Sequence, residues 1–135
     1  MLKIAIDIMG GDNSLSEPIN GIKSYFQNSK DRNIFFYIVG DSNKASEIIK
    51  NTIPKNQYKI INASQIIDMN DNPLEAFKTK HDSSMIKCIN LLKKSKVNAV
   101  ISSGNTGALL LSSTLIVKKI AGIKKAILAP IIPNQ

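Results

Sequence analysis

KIAIDIMGGDNS, residues Lys3 to Ser14, and NAVISSGNTGAL, residues Asn98 to Leu109, decide how this chain is read. Each starts as an apolar run and passes through glycine and small polar residues into a helical pattern. Such a run reads as a strand buried in a sheet, and glycine at its end lets the backbone turn sharply and approach a ligand closely. In a parallel α/β sheet the loops at the carboxyl ends of the strands lie together, and ligands bind there. The N–H groups at the start of a helix lack internal partners and favour an anion. The two segments therefore predict one site, with a ligand that carries phosphate or another oxyanion.

Outward from these segments, strands and helices alternate. Apolar runs predict strands over Leu2–Ile8, Asn33–Val39, Tyr58–Ile61, Val97–Ser102 and Ala126–Ile132. Ile19, Ile22 and Phe26 repeat at helical spacing, behind a capping box of Ser14 and Glu17 or an N-cap at Ser16 just before Pro18. Ala45, Ile48, Ile49 and Ile53 predict a second helix, stopped by Pro54. Asn70 to Pro73 mark a turn, followed by a short helix over Leu74–Lys80. Asp82 or Ser83 caps a helix whose apolar face is Met85, Cys88, Ile89 and Leu92, and a last helix runs over Gly104–Lys118. The fold class is α/β with a mainly parallel sheet, a single domain over residues 1–135. The last helix is apolar on nearly every side, and the sequence stops at Pro133-Asn134-Gln135 directly after a strand. A helix covering a sheet keeps one wet face, so the expectation is an incomplete domain covered by another subunit or a second half.

Composition narrows the function. The net charge is +8, with 18 cationic residues against 10 acidic ones, and Arg32 is the only arginine. Base readout and bidentate phosphate clamps favour Arg, and stacking on single strands needs aromatics, which make up 5% here. Nucleic-acid binding is therefore disfavoured against an acidic protein, an anionic membrane surface or a phosphorylated substrate. Cys88, the one cysteine, excludes an internal disulfide and a cysteine zinc site, and reads as core. Neither a secretory signature nor a membrane-spanning run is present, so a cytoplasmic chain is expected.

Three clusters are candidate sites. Ser102 to Gly107 is the strongest, with Ser103, Gly104, Asn105, Thr106 and Gly107 offering backbone N–H groups and hydroxyls to a phosphate. Asp7, Gly10, Gly11 and Asp12 form the second, where two carboxylates near a strand end would orient donors, orient a lysine or hold a metal. The third is Lys78, Lys80, His81, Asp82, Ser83 and Ser84, a second helix start with lysines that would supply the positive charge absent between Val97 and Val117. Each has a plain structural alternative, as a cap, a turn or a solvated helix end. Fingerprints of dinucleotide binding, P-loop hydrolysis, zinc proteases and α/β-hydrolases are absent.

Four collinear stretches carry a family resemblance: IAIDIMGGD at the start, VGD at Val39 to Asp41, NASQIIDMNDNPLEAFKTKHDSSM at Asn62 to Met85, and ISSGNTGALL at Ile101 to Leu110. Together they resemble the N-terminal part of bacterial phosphate acyltransferase, the acyl-acyl-carrier-protein:phosphate acyltransferase of phospholipid synthesis. The resemblance implies a fold similar to isocitrate/isopropylmalate dehydrogenases and a homodimer without cofactor or metal. It also implies formation of acyl phosphate from acyl-acyl-carrier protein and inorganic phosphate, used next by a membrane-bound acyltransferase, and a peripheral place for the chain itself at the inner face of the membrane. Family members run well past the equivalent of Ile132, so little activity is expected of 135 residues alone. His81 stands where lysine is more usual and receives no role.

The implied chemistry fits residues of this kind. Phosphate is itself the nucleophile, and a thiol leaves readily with a pKa of about 8–9, so neither a Ser or Cys nucleophile nor a strong acid is needed. What remains is to position phosphate and stabilise an oxyanion. On this reading Asn105 and Thr106 hold phosphate or the oxyanion, Lys80 supplies charge and Asp12 orients donors. The positive chain would steer toward an acidic carrier protein. A non-catalytic phosphate- or acyl-binding module is the competing reading, and a dehydrogenase related by fold is a third.

Overall fold

A computed structural model describes residues 1–11, 15–29, 33–50 and 52–129 of the chain. Its centre is a four-stranded, wholly parallel sheet in the order β3-β2-β1-β4, made of β1 (Leu2–Asp7), β2 (Ile34–Gly40), β3 (Tyr58–Asn62) and β4 (Ala99–Ser102). Five helices connect and cover it: α1 (Ser16–Asn28), α2 (Ser42–Ile49), α3 (Pro73–Thr79), α4 (Ser84–Lys93) and α5 (Thr106–Ile116). The chain moves one way through β1, β2 and β3, then crosses back to place β4 on the other side of β1. Strand order reverses between β1 and β4, which puts both glycine segments at the switch point where such sheets bind ligands.

Strand alternation sends side chains to two cores. On one face Ile6, Ile8, Phe36 and Ile38 meet Ile19, Ile22 and Phe26 of α1 and Ala45 and Ile49 of α2. On the other, Ala5, Val39, Ala63 and Val97 meet Cys88 of α4. A third cluster, Ile67, Ala76, Met85, Ile86, Ile89 and Ala108, joins α3, α4 and α5. Short polar side chains cap the helices: Asp41 accepts from the N–H groups of Asn43 and Lys44, and Asn72 from those of Leu74 and Glu75.

Several elements differ from expectation. Ala126–Ala129 is not a strand, and 130–132 lie outside the described residues, so the described sheet has four strands, not five. The described part of the run is apolar enough for a strand but pairs with no described residue, and Ile127 is 77% exposed. α2 stops at Ile49 because Lys50 leaves helical geometry at ψ 120°, and Ile53 reaches the core from the following turn. Ser16 is the first residue of α1, not its cap; the position before it is Leu15, and Ser14 lies outside the described residues. α5 starts at Thr106 and ends at Ile116, so Gly104 and Asn105 precede it. Ser83, not Asp82, caps α4.

Candidate functional site

The site grows from register. Asp7 ends β1 directly opposite Ser102, which ends β4. Both loops therefore leave the sheet side by side, and polar groups of the two strand ends lock them. One Asp7 carboxylate oxygen accepts from the N–H groups of Met9 (3.0 Å) and Gly10 (3.1 Å); the other accepts from the Ser102 hydroxyl at 2.7 Å. The Ser102 oxygen in turn accepts from the Gly104 N–H at 3.2 Å, and the Ser103 hydroxyl donates to the Gly10 carbonyl at 3.1 Å. Asp7 is 1% exposed and its charge is met wholly by donors from both loops. It serves as the fastener of the corner.

Glycine is required where the loops touch. A Cβ on Gly10 would sit 2.7 Å from the Asp7 carboxylate and 2.9 Å from the Gly104 Cα. Gly11 has a φ of +102°, a region that side chains disfavour, and lies against Ser103. The corner thus brings together Gly10, Gly11, Ser103 and Gly104. Asp12 lies outside the described residues.

The start of α5 follows at once. Asn105 caps it, its Oδ1 accepting from the Ala108 N–H at 2.9 Å. Among the described residues, the N–H groups of Ser103, Asn105, Thr106 and Gly107 make no hydrogen bond. Thr106 is exposed at the first position of the helix, and Gly107 packs beside Pro73 of α3.

Other candidates prove to be occupied. The Asn105 side chain is 6% exposed, and its amide donates to the carbonyls of Asp68, Met69 and Asp71 at 3.0–3.1 Å. Both ends of that side chain are engaged within the protein, so it fixes the loop and presents no free group to a ligand. Lys80 holds the same turn from its other side, paired with the Asp71 carboxylate and with Asp68 at 3.5 Å. The bond to Lys80 holds the Asp71 carboxyl below the usual carboxylate range, and Asp71 raises the Lys80 ammonium in return. The turn over residues 68–71 is therefore clasped between Lys80 and Asn105. Ser83 and Ser84 are fully buried: the Ser83 hydroxyl caps α4 and the Ser84 N–H reaches the Gln65 carbonyl. Asp82 accepts from Ser64 and pairs with Lys87 at 2.6 Å, and His81 is exposed. Cys88 lies in the core, where burial and then the Asp7 charge push its thiol well up.

Sequence reasoning singled out Asp7 without finding its partner, Ser102. The signal was available: two strands that both end before a glycine loop, and that pair in parallel, place their last residues opposite each other. No group of three or more His, Cys, Asp or Glu among the described residues is placed to hold a metal.

The family model described as "Fatty acid synthesis protein" matches residues 2–135. The chain belongs to this family. Among curated relatives, the chain is 41% identical over 135 residues to a protein named phosphate acyltransferase from Clostridium botulinum, a match covering 99% of this chain and 40% of that protein. Proteins of the same name from Dictyoglomus turgidum and Pelagibacter ubique are 38% and 39% identical, covering 98% and 100% of the chain. The chain spans about 40% of the length of the curated relatives it matches. No helix among the described residues is long and apolar enough to cross a membrane.

Proposed function

We propose that this chain forms the phosphate-holding part of an acyltransferase, one that moves an acyl group from acyl-acyl-carrier protein to inorganic phosphate. One observation carries the reading: two glycine corners meet at the start of α5, where the N–H groups of Ser103, Asn105, Thr106 and Gly107 make no hydrogen bond among the described residues. Phosphate takes the N–H groups of Thr106 and Gly107 and the Thr106 hydroxyl, with about 0.3–1 kcal/mol from the helix dipole in addition to the hydrogen bonds.

In the reaction a phosphate oxygen bonds to the thioester carbonyl carbon, and the carbonyl oxygen becomes an oxyanion within reach of the remaining N–H groups. The oxyanion then re-forms the carbonyl, the C–S bond breaks, and its electron pair leaves with sulfur, which protonates from water. Acyl thioester and phosphate on one side balance acyl phosphate and free thiol on the other, without a cofactor. Asn105 and Lys80 act on this reading as positioning residues, through the turn over residues 68–71 that they clasp. Ser83 and Ser84 support α4 behind Gly104, whose neighbour is Met85. Asp12 remains assigned to orienting donors, and the +8 charge steers the acidic carrier protein. A cytoplasmic homodimer, bound peripherally to the membrane and serving a membrane acyltransferase, belongs to the same proposal.

The test is Thr106→Ala at the matching position of the Clostridium botulinum relative, read as phosphate-dependent thiol release from acyl-carrier protein. The expected loss is about 10- to 100-fold in kcat/KM for phosphate, the effect of removing one hydrogen bond to a charged group. An undiminished kcat/KM would overturn the assignment and favour a binding module.

A further inference from the structure

α1 and α2 cover β1 and β2 on one side of the sheet, but nothing among the described residues covers β4 there, and Ile101 is left 52% exposed. A groove of about 700 Å³ lies in the gap, floored by Ile4, Ile6 and Ile101 and walled by Ile22 and Tyr25 of α1. Its floor follows from alternation: Ile4 and Ile6 face this side, while Ala5 faces α4. At one end it opens onto Gly10, Gly11, Ser102 and Ser103, the corner described above.

We propose that this groove holds the alkyl chain of an acyl group whose carbonyl sits at the corner. The inference rests on the acyl-transfer reading and adds where the chain lies. An acyl thioester is a polar head joined to a hydrocarbon tail, and the surface offers the same order: hydroxyls and backbone N–H groups, then an apolar trough continuous with them. A hydrocarbon needs no hydrogen-bond partner along that floor, whereas a strand added to the open edge of β4 would lie beside the sheet and not over this face.

Gly21 on α1 supplies the probe. It borders the groove, and a Cβ there meets nothing within 4 Å, so the helix backbone accepts a side chain at this position and leucine is the one large enough to occupy the trough. Replacing glycine inside a helix also raises helix propensity, which separates lost binding from lost folding. The ligands are n-alkyl phosphates of eight to twelve carbons (about that range keeps them below micelle formation), titrated calorimetrically into the chain, with n-alkanols of equal length as the second arm. Affinity for the alkyl phosphates is expected to rise about fourfold per methylene in the wild type and in Gly21→Ala. In Gly21→Leu that dependence is lost, with the urea midpoint unchanged or raised. Flat affinity across chain lengths, or an undiminished rise in Gly21→Leu, would overturn the groove and leave this face to the polypeptide that relatives carry beyond the matched region. A rise shared equally by alkanols and alkyl phosphates would support the groove while refuting the anion corner, so the two readings fail separately.

Discussion

Asn105 offers the sharpest test of how the corner is held. Its Oδ1 caps α5 at 2.9 Å, and its Nδ2 faces the carbonyls of Asp68, Met69 and Asp71 at 3.0–3.1 Å. Loss of a cap costs about 1 kcal/mol. An amide has two N–H hydrogens, so the three carbonyls share two bonds, each worth about 1 kcal/mol net. Asn105→Ala should therefore lose about 3 kcal/mol, which at a urea slope of about 1.5 kcal/mol/M lowers the midpoint by about 2 M. Asn105→Ser keeps a capping oxygen and loses only the clasp, about 2 kcal/mol. Asn105→Asp is the decisive variant. It keeps the acceptor for the Ala108 N–H but turns a carboxylate toward three carbonyl oxygens, so it should fall at least as far as the alanine variant. Equilibrium urea unfolding, with the slope checked for constancy, reads all three. A midpoint for Asn105→Asp within about 0.3 M of wild type would show that the side chain is only a cap, and would refute the clasp.

Other outcomes follow from the same geometry. Gly10→Ala drives a Cβ to 2.7 Å from the Asp7 carboxylate and 2.9 Å from backbone that cannot step aside; a loss of about 1–3 kcal/mol is expected in the same urea assay, and an unchanged midpoint would mean the loops are not in contact. The Asp82 carboxyl is drawn down to about 2 by the Lys87 ammonium and then by Ser64, from an ordinary 3.8. Its folded value lies below its unfolded one, so its contribution is complete above 3.8 and is lost as pH falls toward about 2. The gap in urea midpoint between wild type and Asp82→Asn should accordingly be widest near neutrality and vanish by about pH 2; a gap independent of pH contradicts the pairing. Cys88 should react with a thiol reagent at pH 8 only as fast as the protein opens, and rapidly in urea; quick labelling of the native chain would contradict its burial.

What could be read from sequence was set by local rules, and what could not was set by distance along the chain. β1, β2 and β4 are apolar runs between glycine or polar stops, and tertiary structure leaves them where periodicity puts them. Asn72 and Asn105 cap α3 and α5 through bonds that span only three residues, while the sequence marks Asn72 as part of a turn and starts the last helix at Gly104. Ala126–Ala129 obeys the same apolar rule as the true strands, but a strand needs an edge to pair with, and no local pattern reports whether one is free. For Asn105 the residue type points equally to a ligand and to a loop. The carbonyls it binds lie 34 to 37 residues away, in a turn that the sequence marks but does not place. Lys80 is ambiguous for the same reason, since its carboxylate partners stand on that turn too. The convergence of the two glycine segments was legible, because parallel topology alone brings strand ends to one edge.

The central claim is that the start of α5 binds an inorganic anion through main-chain N–H groups. Amide proton and nitrogen shifts of the chain, followed by NMR while inorganic phosphate is added, test it directly. The account predicts that the amides of Ser103, Asn105, Thr106 and Gly107 shift together and saturate, while that of Ala108, already bonded to Asn105, moves least. Saturable shifts confined to lysine-rich segments elsewhere, with these four amides unmoved, would contradict it.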